Sequence, residues 1–217
     1  MNPKNFDDAM RKAAHVAADA TKAAMREMAA GNVTDEDDVT GVLIGELNAN
    51  LRGYIGGLIW SAKIMRHRRG IAAEEKAIGA DILLHISARG IGREYDKGVL
   101  IQSKKVSRGE LLSKSELERL QGQCEDMLSL SPASFVFDYS VSGVRAASAN
   151  KISNTDARNL YEHCELTAFR FFFDFFRCTT GDRDVNAAMV EKIMAKRGKD
   201  MAEGRGPDIL SLSVHEG

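Results

Sequence analysis

Two short apolar segments that lie close together restrict the fold more than any other feature of this chain. Residues 80–87 read ADILLHIS, and residues 98–106 read GVLIQSKKV. Each run has the length of a buried strand, and Gly90 and Gly92 mark a loop between them. The pattern therefore predicts a β-hairpin with a connection of roughly ten residues.

Three polar side chains interrupt the apolar pattern of this hairpin. Asp81 opens the first strand, and Gln102 and Lys104 follow three consecutive apolar residues in the second. Because side chains alternate along a strand, Gln102 and Lys104 share one face, roughly 7 Å apart. Asp81 is expected beside them, since the start of the first strand pairs with the end of the second. A carboxylate and an amide oxygen suit Mg²⁺, and a neighbouring lysine can orient or deprotonate a water, which is typical of a phosphodiester-cleaving site.

The other apolar patterns divide into helical and strand periodicities. We predict helices at residues 5–28, 34–52, 115–128, 155–177 and 186–196, and further strands at 58–65, 134–139 and 144–149. This order favours an α/β fold with a central mixed sheet flanked by helices. The apolar face of the first helix is mostly Ala and Met, so we expect an N-terminal arm (1–31), a main domain (32–200) with a helical C-terminal part, and a polar tail (201–217).

Asp81 and, about twenty residues later, Gln102-x-Lys104 resemble the motifs of the PD-(D/E)xK nuclease superfamily, which has the restriction-endonuclease-like fold. The first motif is reduced to Ala80-Asp81, and Gln102 replaces the usual acid, as in superfamily branches that read QxK. The resemblance covers residues 34–140, and the predicted order agrees with the αβββαβ core of the superfamily. It implies a metal-dependent DNA endonuclease similar to bacterial restriction and phage-defence nucleases. In such a site Asp81 and Gln102 hold Mg²⁺, with Mn²⁺ as a substitute, and Lys104 positions the attacking water.

The resemblance also implies a glutamate from the first core helix, for which the sequence offers Glu36 and Glu46. At ~100° per residue, Glu46 lies about 80° from Glu36. Glu36 itself is centred on the apolar stripe of Val39, Thr40, Leu43, Leu47 and Leu51. A carboxylate on a buried face needs a partner, which a metal or Lys104 supplies, so we favour Glu36. The alternative is a first-turn acid that interacts only with the helix dipole.

Several other polar residues are weaker candidates for the site. His85 shares the strand face of Asp81, but a core histidine is the simpler interpretation. Gln121 and Gln123 lie on the following helix and are candidates for contact with phosphate or Lys104, although an amide bonded to backbone explains each as well. The basic cluster at residues 63–69 is a candidate for phosphate contacts, with a solvated strand end as the alternative.

Composition limits the remaining possibilities. The formal net charge is −1, so any surface for nucleic acid must be local. The sequence has no apolar run of membrane-spanning length and no signal-like apolar segment near its start, so we expect a soluble, cytoplasmic protein. Its three cysteines are far apart, which favours reduced thiols and gives no zinc framework.

Cleavage of both DNA strands needs two sites, so we expect a homo-oligomer, with the phenylalanine-rich residues 169–176 as a candidate contact. The cluster at 171–176 is apolar nearly all round, so we expect either deep burial or a subunit interface there. A regulatory or defence-system partner protein is also plausible, because unregulated cutting is toxic. Two alternatives stay open. One is a non-catalytic subunit on the same fold that binds nucleic acid or a protein, and the other is a nuclease that acts on RNA.

Overall fold

A mixed β-sheet forms the centre of the computed structural model, which describes residues 3–65, 78–106, 109–156, 158–197 and 207–216. Within these residues the sheet has eight strands in the order β1-β2-β8-β3-β4-β5-β6-β7. The strands are β1 (Gly53–Ile55), β2 (Leu58–Met65), β3 (Ile82–Arg89), β4 (Tyr95–Lys104), β5 (Ser134–Ser140), β6 (Gly143–Ser148), β7 (Leu166–Thr167) and β8 (Asp208–His215). The helices are α1 (Pro3–Ala29), α2 (Glu36–Asn50), α3 (Lys114–Leu130), α4 (Ala149–Ser153), α5 (Leu160–His163), α6 (Ala168–Phe176) and α7 (Ala187–Arg197).

The predicted hairpin is confirmed: β3 and β4 pair antiparallel, with Ile82 opposite Ile101. The connection between them, residues 90–94, is shorter than predicted. From β4 the chain crosses through α3 and returns as β5, which pairs parallel to β4. A capping box at Ser113 and Glu116 fixes the start of α3. These elements give the α/β class that the sequence predicts, with helices on both faces of the sheet.

The C-terminal residues differ from the predicted polar tail. Residues 208–215 form β8, which lies between β2 and β3 and runs parallel to β3. Leu210, Leu212 and Val214 are buried, and the serines between them point to the opposite face. This alternation is a strand signal, although its eight residues hold only a modest apolar content. Because β8 separates β2 from β3, the strands of the predicted αβββαβ core follow one another in the chain but are not all neighbours in the sheet.

Helix α1 is part of the core and not the outer arm that we expected. Its apolar stripe, which includes Ala13, Ala14 and Ala17, is fully buried, and the helix packs against α2 and α6. Small side chains allow helices to approach closely, so an alanine-rich face supports tight packing as well as a face of large residues does. Helices α1, α2 and α6 cover one face of the sheet, and α3, α4 and α7 contribute to a second core on the other.

The phenylalanine-rich segment also differs from expectation. The predicted long helix at 155–177 is divided into α5, β7 and α6, and the Thr167 side chain caps α6 by accepting a hydrogen bond from the Arg170 amide. The rings of Phe171, Phe172 and Phe175 are buried within this chain, in the core that α1 covers. The predicted deep burial is therefore confirmed for most of these rings, which are not available for the candidate oligomer contact. Among the described residues, no helix is both long and apolar enough to cross a membrane.

Candidate functional site

The predicted site residues meet at the end of the sheet where β4 finishes and β3 begins. Asp81 directly precedes β3, and its backbone pairs on both sides. The Asp81 amide donates to the Ile101 carbonyl at 2.9 Å, and its carbonyl accepts from the Asp208 amide at 2.7 Å. Gln102 and Lys104 lie at the C-terminal end of β4, and Lys104 is its last residue. Two neighbouring strands therefore hold the backbone of Asp81 in place beside the end of β4.

The carboxylate of Asp81 accepts three hydrogen bonds at one oxygen, Oδ2. The donors are the Gln102 amide Nε2 at 2.7 Å, the Ser103 backbone amide at 2.8 Å and the Ser103 hydroxyl at 2.5 Å. Burial raises the pKa of Asp81 to about 6, although the Ser103 hydrogen bonds and the charge of Lys104 lower it. Asp81 and Lys104 lie at the same end of the sheet, because Lys104 ends the strand whose Gln102 and Ser103 donate to the Asp81 carboxylate.

Lys104 is almost completely buried, and its ammonium is neutralised by α2. Its Nζ donates to Glu36 Oε1 at 2.7 Å, and Glu36 Oε2 accepts from the Lys105 amide at 3.0 Å. Glu46, the other candidate, instead accepts a hydrogen bond from Asn50 at the far end of the same helix. A buried charge without a partner is costly, so the Glu36–Lys104 pair fixes α2 to the end of β4.

A network of hydroxyl groups connects the site to the opposite face of the sheet. Thr40 Oγ1 lies 3.1 Å from Ser103 Oγ and 3.0 Å from Tyr139 Oη, and it donates to the Glu36 carbonyl at 3.0 Å. Sequence reasoning placed Thr40 on the apolar stripe of Glu36 but gave no role to Ser103 or Tyr139. Ser103 donates two of the three hydrogen bonds that orient the Asp81 carboxylate, and its hydroxyl lies in this network.

Asp138 is a second buried carboxyl beside the site that sequence reasoning missed. It lies on β5 directly opposite Lys104 in the parallel register, and it has no exposed surface. Its Oδ1 accepts from the Val106 amide at 3.2 Å, and its Oδ2 has no partner among the described residues. Burial raises the pKa of Asp138 to about 7, against the opposing effects of the Val106 hydrogen bond and of Arg145. An acid inside the apolar run SFVFDY was the available signal.

The oxygens that remain available decide whether the site fits a divalent cation. Gln102 Oε1 is buried and has no hydrogen-bond partner among the described residues. The three hydrogen bonds of Asp81 all use Oδ2, which leaves Oδ1 as a second oxygen ligand. The described residues contain no group of three or more His, Cys, Asp and Glu side chains arranged for a metal. The oxygens at hand are one carboxylate oxygen and one amide oxygen, and Mg²⁺ is a hard ion that keeps several waters and often binds through one or two carboxylates plus substrate phosphate.

Two of the weaker candidates are occupied elsewhere. His85 is buried in the middle of β3, where Nε2 lies 2.5 Å from Asp96 Oδ1 and Nδ1 lies 2.9 Å from Ser211 Oγ. Gln121 donates to the Thr155 carbonyl at 2.7 Å, so its amide is bonded to backbone. Neither side chain has a described contact with the residues around Asp81.

The structure describes Gln123 and Lys63 but not the rest of the basic cluster. Gln123 lies on α3, and its Oε1 is a buried acceptor without a partner among the described residues. Lys63 is exposed near the end of β2. The rest of the basic cluster, residues 66–69, lies outside the described residues.

In comparisons with protein-family models, curated proteins and solved structures, no match to this chain was found. The class defined by the fold is an α/β protein with an eight-stranded mixed sheet between helices. Any function must therefore be inferred from the site itself.

Proposed function

We propose that this chain is a metal-dependent endonuclease that hydrolyses DNA phosphodiester bonds, in bacterial restriction or defence against phage. The observation that supports the proposal is the convergence of Asp81, Gln102, Lys104 and Glu36 at one end of the sheet. The resemblance to the PD-(D/E)xK motifs supplies the reaction type. The restriction-endonuclease-like fold belongs to the same proposal.

Each side chain has a separate task in this proposal. Asp81 Oδ1 and Gln102 Oε1 hold the Mg²⁺, because both oxygens lack a described donor. The bound ion supplies polarisation of a phosphate oxygen and a lower pKa of a bound water. Lys104 orients the attacking water and offsets the negative charge that develops on phosphorus. Glu36 holds the Lys104 ammonium in position through its 2.7 Å hydrogen bond.

The non-catalytic subunit remains the second candidate, and one feature of the site favours it. Gln102 stands where the superfamily has a carboxylate, so the site has one fewer negative charge. One oxygen of Asp81, Oδ2, already accepts three hydrogen bonds. A less anionic site binds Mg²⁺ more weakly. A protein that only binds nucleic acid would keep the same fold and lack cleavage.

Digestion of supercoiled plasmid with Mg²⁺ or Mn²⁺ tests the proposal. We expect nicked or linear product from the wild type and none from the Lys104→Ala variant, with circular dichroism to confirm that the variant is folded. Lys105→Ala is the matched control, because this neighbouring lysine is exposed and its ammonium donates to the Thr34 carbonyl at 3.0 Å. Equal cleavage by wild type and Lys104→Ala would contradict the proposal.

A parallel digestion of single-stranded RNA decides between the two nucleic acids, since the described side chains do not distinguish the sugars. A cut through both strands of DNA requires two sites, so we propose that the active form is a homo-oligomer. Sedimentation of the protein with and without DNA measures that assembly.

A further inference from the structure

The strand register aligns polar and planar side chains on a part of the sheet away from the proposed catalytic site. Tyr54 of β1 lies opposite Ile59 of β2, which pairs with His215 of β8. His215 in turn lies opposite Arg89 of β3. Directly paired residues point to the same face of a sheet, so the Tyr54, His215 and Arg89 side chains form one row across it.

The next residues along the strands extend this surface. Ser61 and Ser213 pair between β2 and β8, and their hydroxyls lie 2.7 Å apart. Lys63 follows two residues after Ser61 on the same face. We call this surface of Tyr54, His215, Arg89, Ser61, Ser213 and Lys63 the open face.

The open face is exposed and has an unusual chemistry. Tyr54 is 75% exposed, the highest value among the large apolar side chains described as exposed. His215, Arg89 and Lys63 are also exposed. The surface therefore has one row of planar side chains, then the two serine hydroxyls, and then the ammonium of Lys63.

The two carboxylates in these described rows are both engaged in hydrogen bonds. Asp96 lies opposite Ser87, and its Oδ1 lies 2.5 Å from His85 Nε2 and accepts from the Ala187 amide at 3.1 Å. Asp182 pairs with Gly98 at the end of the Lys63 row, and its carboxylate accepts from the Ser131 hydroxyl at 2.7 Å and the Asp184 amide at 2.9 Å. The cations Lys63 and Arg89 thus face outward on a surface whose acids are already engaged, although the whole chain has a formal charge of −1.

We propose that the open face binds single-stranded nucleic acid, with bases stacked on Tyr54 and His215 and phosphates contacted by Lys63 and Arg89. Aromatic stacking needs bases that are free of a duplex stack, and exposed sheets with planar side chains provide such a platform. The serine hydroxyls are further donors to phosphate or sugar. A duplex presents its bases edge-on in grooves, and the small serines do not project far enough to enter one.

The open face lies on the same face of the sheet as Gln102 and Lys104, by the alternation of β3 and β4, but the second core separates the two places. The Lys63 row crosses β4 at Gly98, four residues before Gln102. His85 and Leu100 are buried in this region, and Val185 occupies the space over Gly98. The open face is therefore a surface separate from the proposed catalytic site.

The inference concerns binding alone, so it is measured without cleavage. The probe is a fluorescein-labelled twelve-nucleotide oligo(dT), followed by fluorescence polarisation in EDTA. We expect Tyr54→Ala to weaken binding by about 5- to 100-fold, from the loss of one stacked base. Leu130→Ala, which removes another exposed apolar side chain at the end of α3, is the matched control and should leave binding unchanged.

The salt dependence separates phosphate contacts from stacking. A Lys63→Gln, Arg89→Gln double variant should reduce the slope of log K against log salt by about 1.4, since each phosphate contact with a single strand contributes about 0.7. The Tyr54→Ala slope should equal that of the wild type. Failure of oligo(dT) to bind, or binding that is unaffected by both sets of substitutions, would overturn the inference.

Tighter binding of the matching duplex, with no effect of Tyr54→Ala on either probe, would also overturn it. Neither result bears on plasmid cleavage through Lys104. Conversely, a chain that binds oligo(dT) through Tyr54 but cuts no DNA would keep the open face and reject the proposed nuclease.

Discussion

Asp138 gives the chain a pH-dependent stability that an Asp138→Asn substitution should remove. The carboxyl has no exposed surface, and burial raises its pKa from 3.8 to about 7. The folded state therefore binds a proton that the unfolded state releases between these two values. Stability from this group is complete below pH 4 and is lost as the pH rises through 7.

The size of the effect follows from the two pKa values. Between pH 5 and pH 8, the difference in proton binding integrates to a loss of about 2.5 kcal/mol in the free energy of unfolding. Burial also raises the pKa of Asp81, to about 6, so the wild type carries a second contribution of the same sign. The difference between wild type and Asp138→Asn isolates the contribution of Asp138, because both proteins retain Asp81.

Urea unfolding followed by circular dichroism at pH 5 and pH 8 measures this difference. Asparagine keeps an oxygen that accepts the Val106 amide hydrogen, so the variant should fold and show a smaller loss of stability over this range. The exposed Asp19→Asn substitution is the control and should leave the slope as in the wild type. An Asp138→Asn protein whose stability falls with pH as steeply as the wild type would refute the reasoning.

Two further predictions concern packing and thiol access. Gly98→Ala should lower the free energy of unfolding by about 1–3 kcal/mol or more, because its Cβ would lie 2.6 Å from Val185 Cγ1 and 2.7 Å from the Val185 carbonyl oxygen. In helix α2, a Cβ added at Gly45 would have no atom within 4 Å, so Gly45→Ala should instead raise the free energy of unfolding by roughly 0.5–1 kcal/mol. Equal urea midpoints for the two variants would contradict both expectations. Iodoacetamide should alkylate Cys178, which is partly exposed, before Cys124, which is buried and whose pKa burial raises to about 12. Intact mass and peptide mapping test this, and early labelling of Cys124 in the folded protein would disagree.

The parts of the fold that the sequence predicted depend on local signals. The β3–β4 hairpin follows from two apolar runs separated by glycines, and α3 follows from helical spacing behind the Ser113 capping box. Asp81 and Gln102 could be placed together for the same reason, since a hairpin fixes which of its ends meet. The same local information places Glu36 on the stripe that faces the sheet.

The features that were missed depend on contacts between distant parts of the chain. Strand β8 lies beside β3, with Ser211 bonded to His85 126 positions away, and nothing near either residue indicates this partner. The burial of α1 depends on the phenylalanine cluster of α6, which covers the alanine face. Asp138 became part of the site region only because β5 pairs with β4 in a register that places it opposite Lys104.

The dependence of plasmid nicking on Mg²⁺ concentration tests the assignment of Asp81 and Gln102 most directly. We expect the wild-type initial rate to rise and saturate with Mg²⁺, and Asp81→Asn to give no cleavage at any concentration. Gln102→Glu should reach half of its maximal rate at a lower Mg²⁺ concentration than the wild type, because it adds a carboxylate ligand. An Asp81→Asn protein that nicks plasmid with the wild-type rate and Mg²⁺ dependence, or a wild type that cuts nothing with Mg²⁺ or Mn²⁺, would contradict the proposed site.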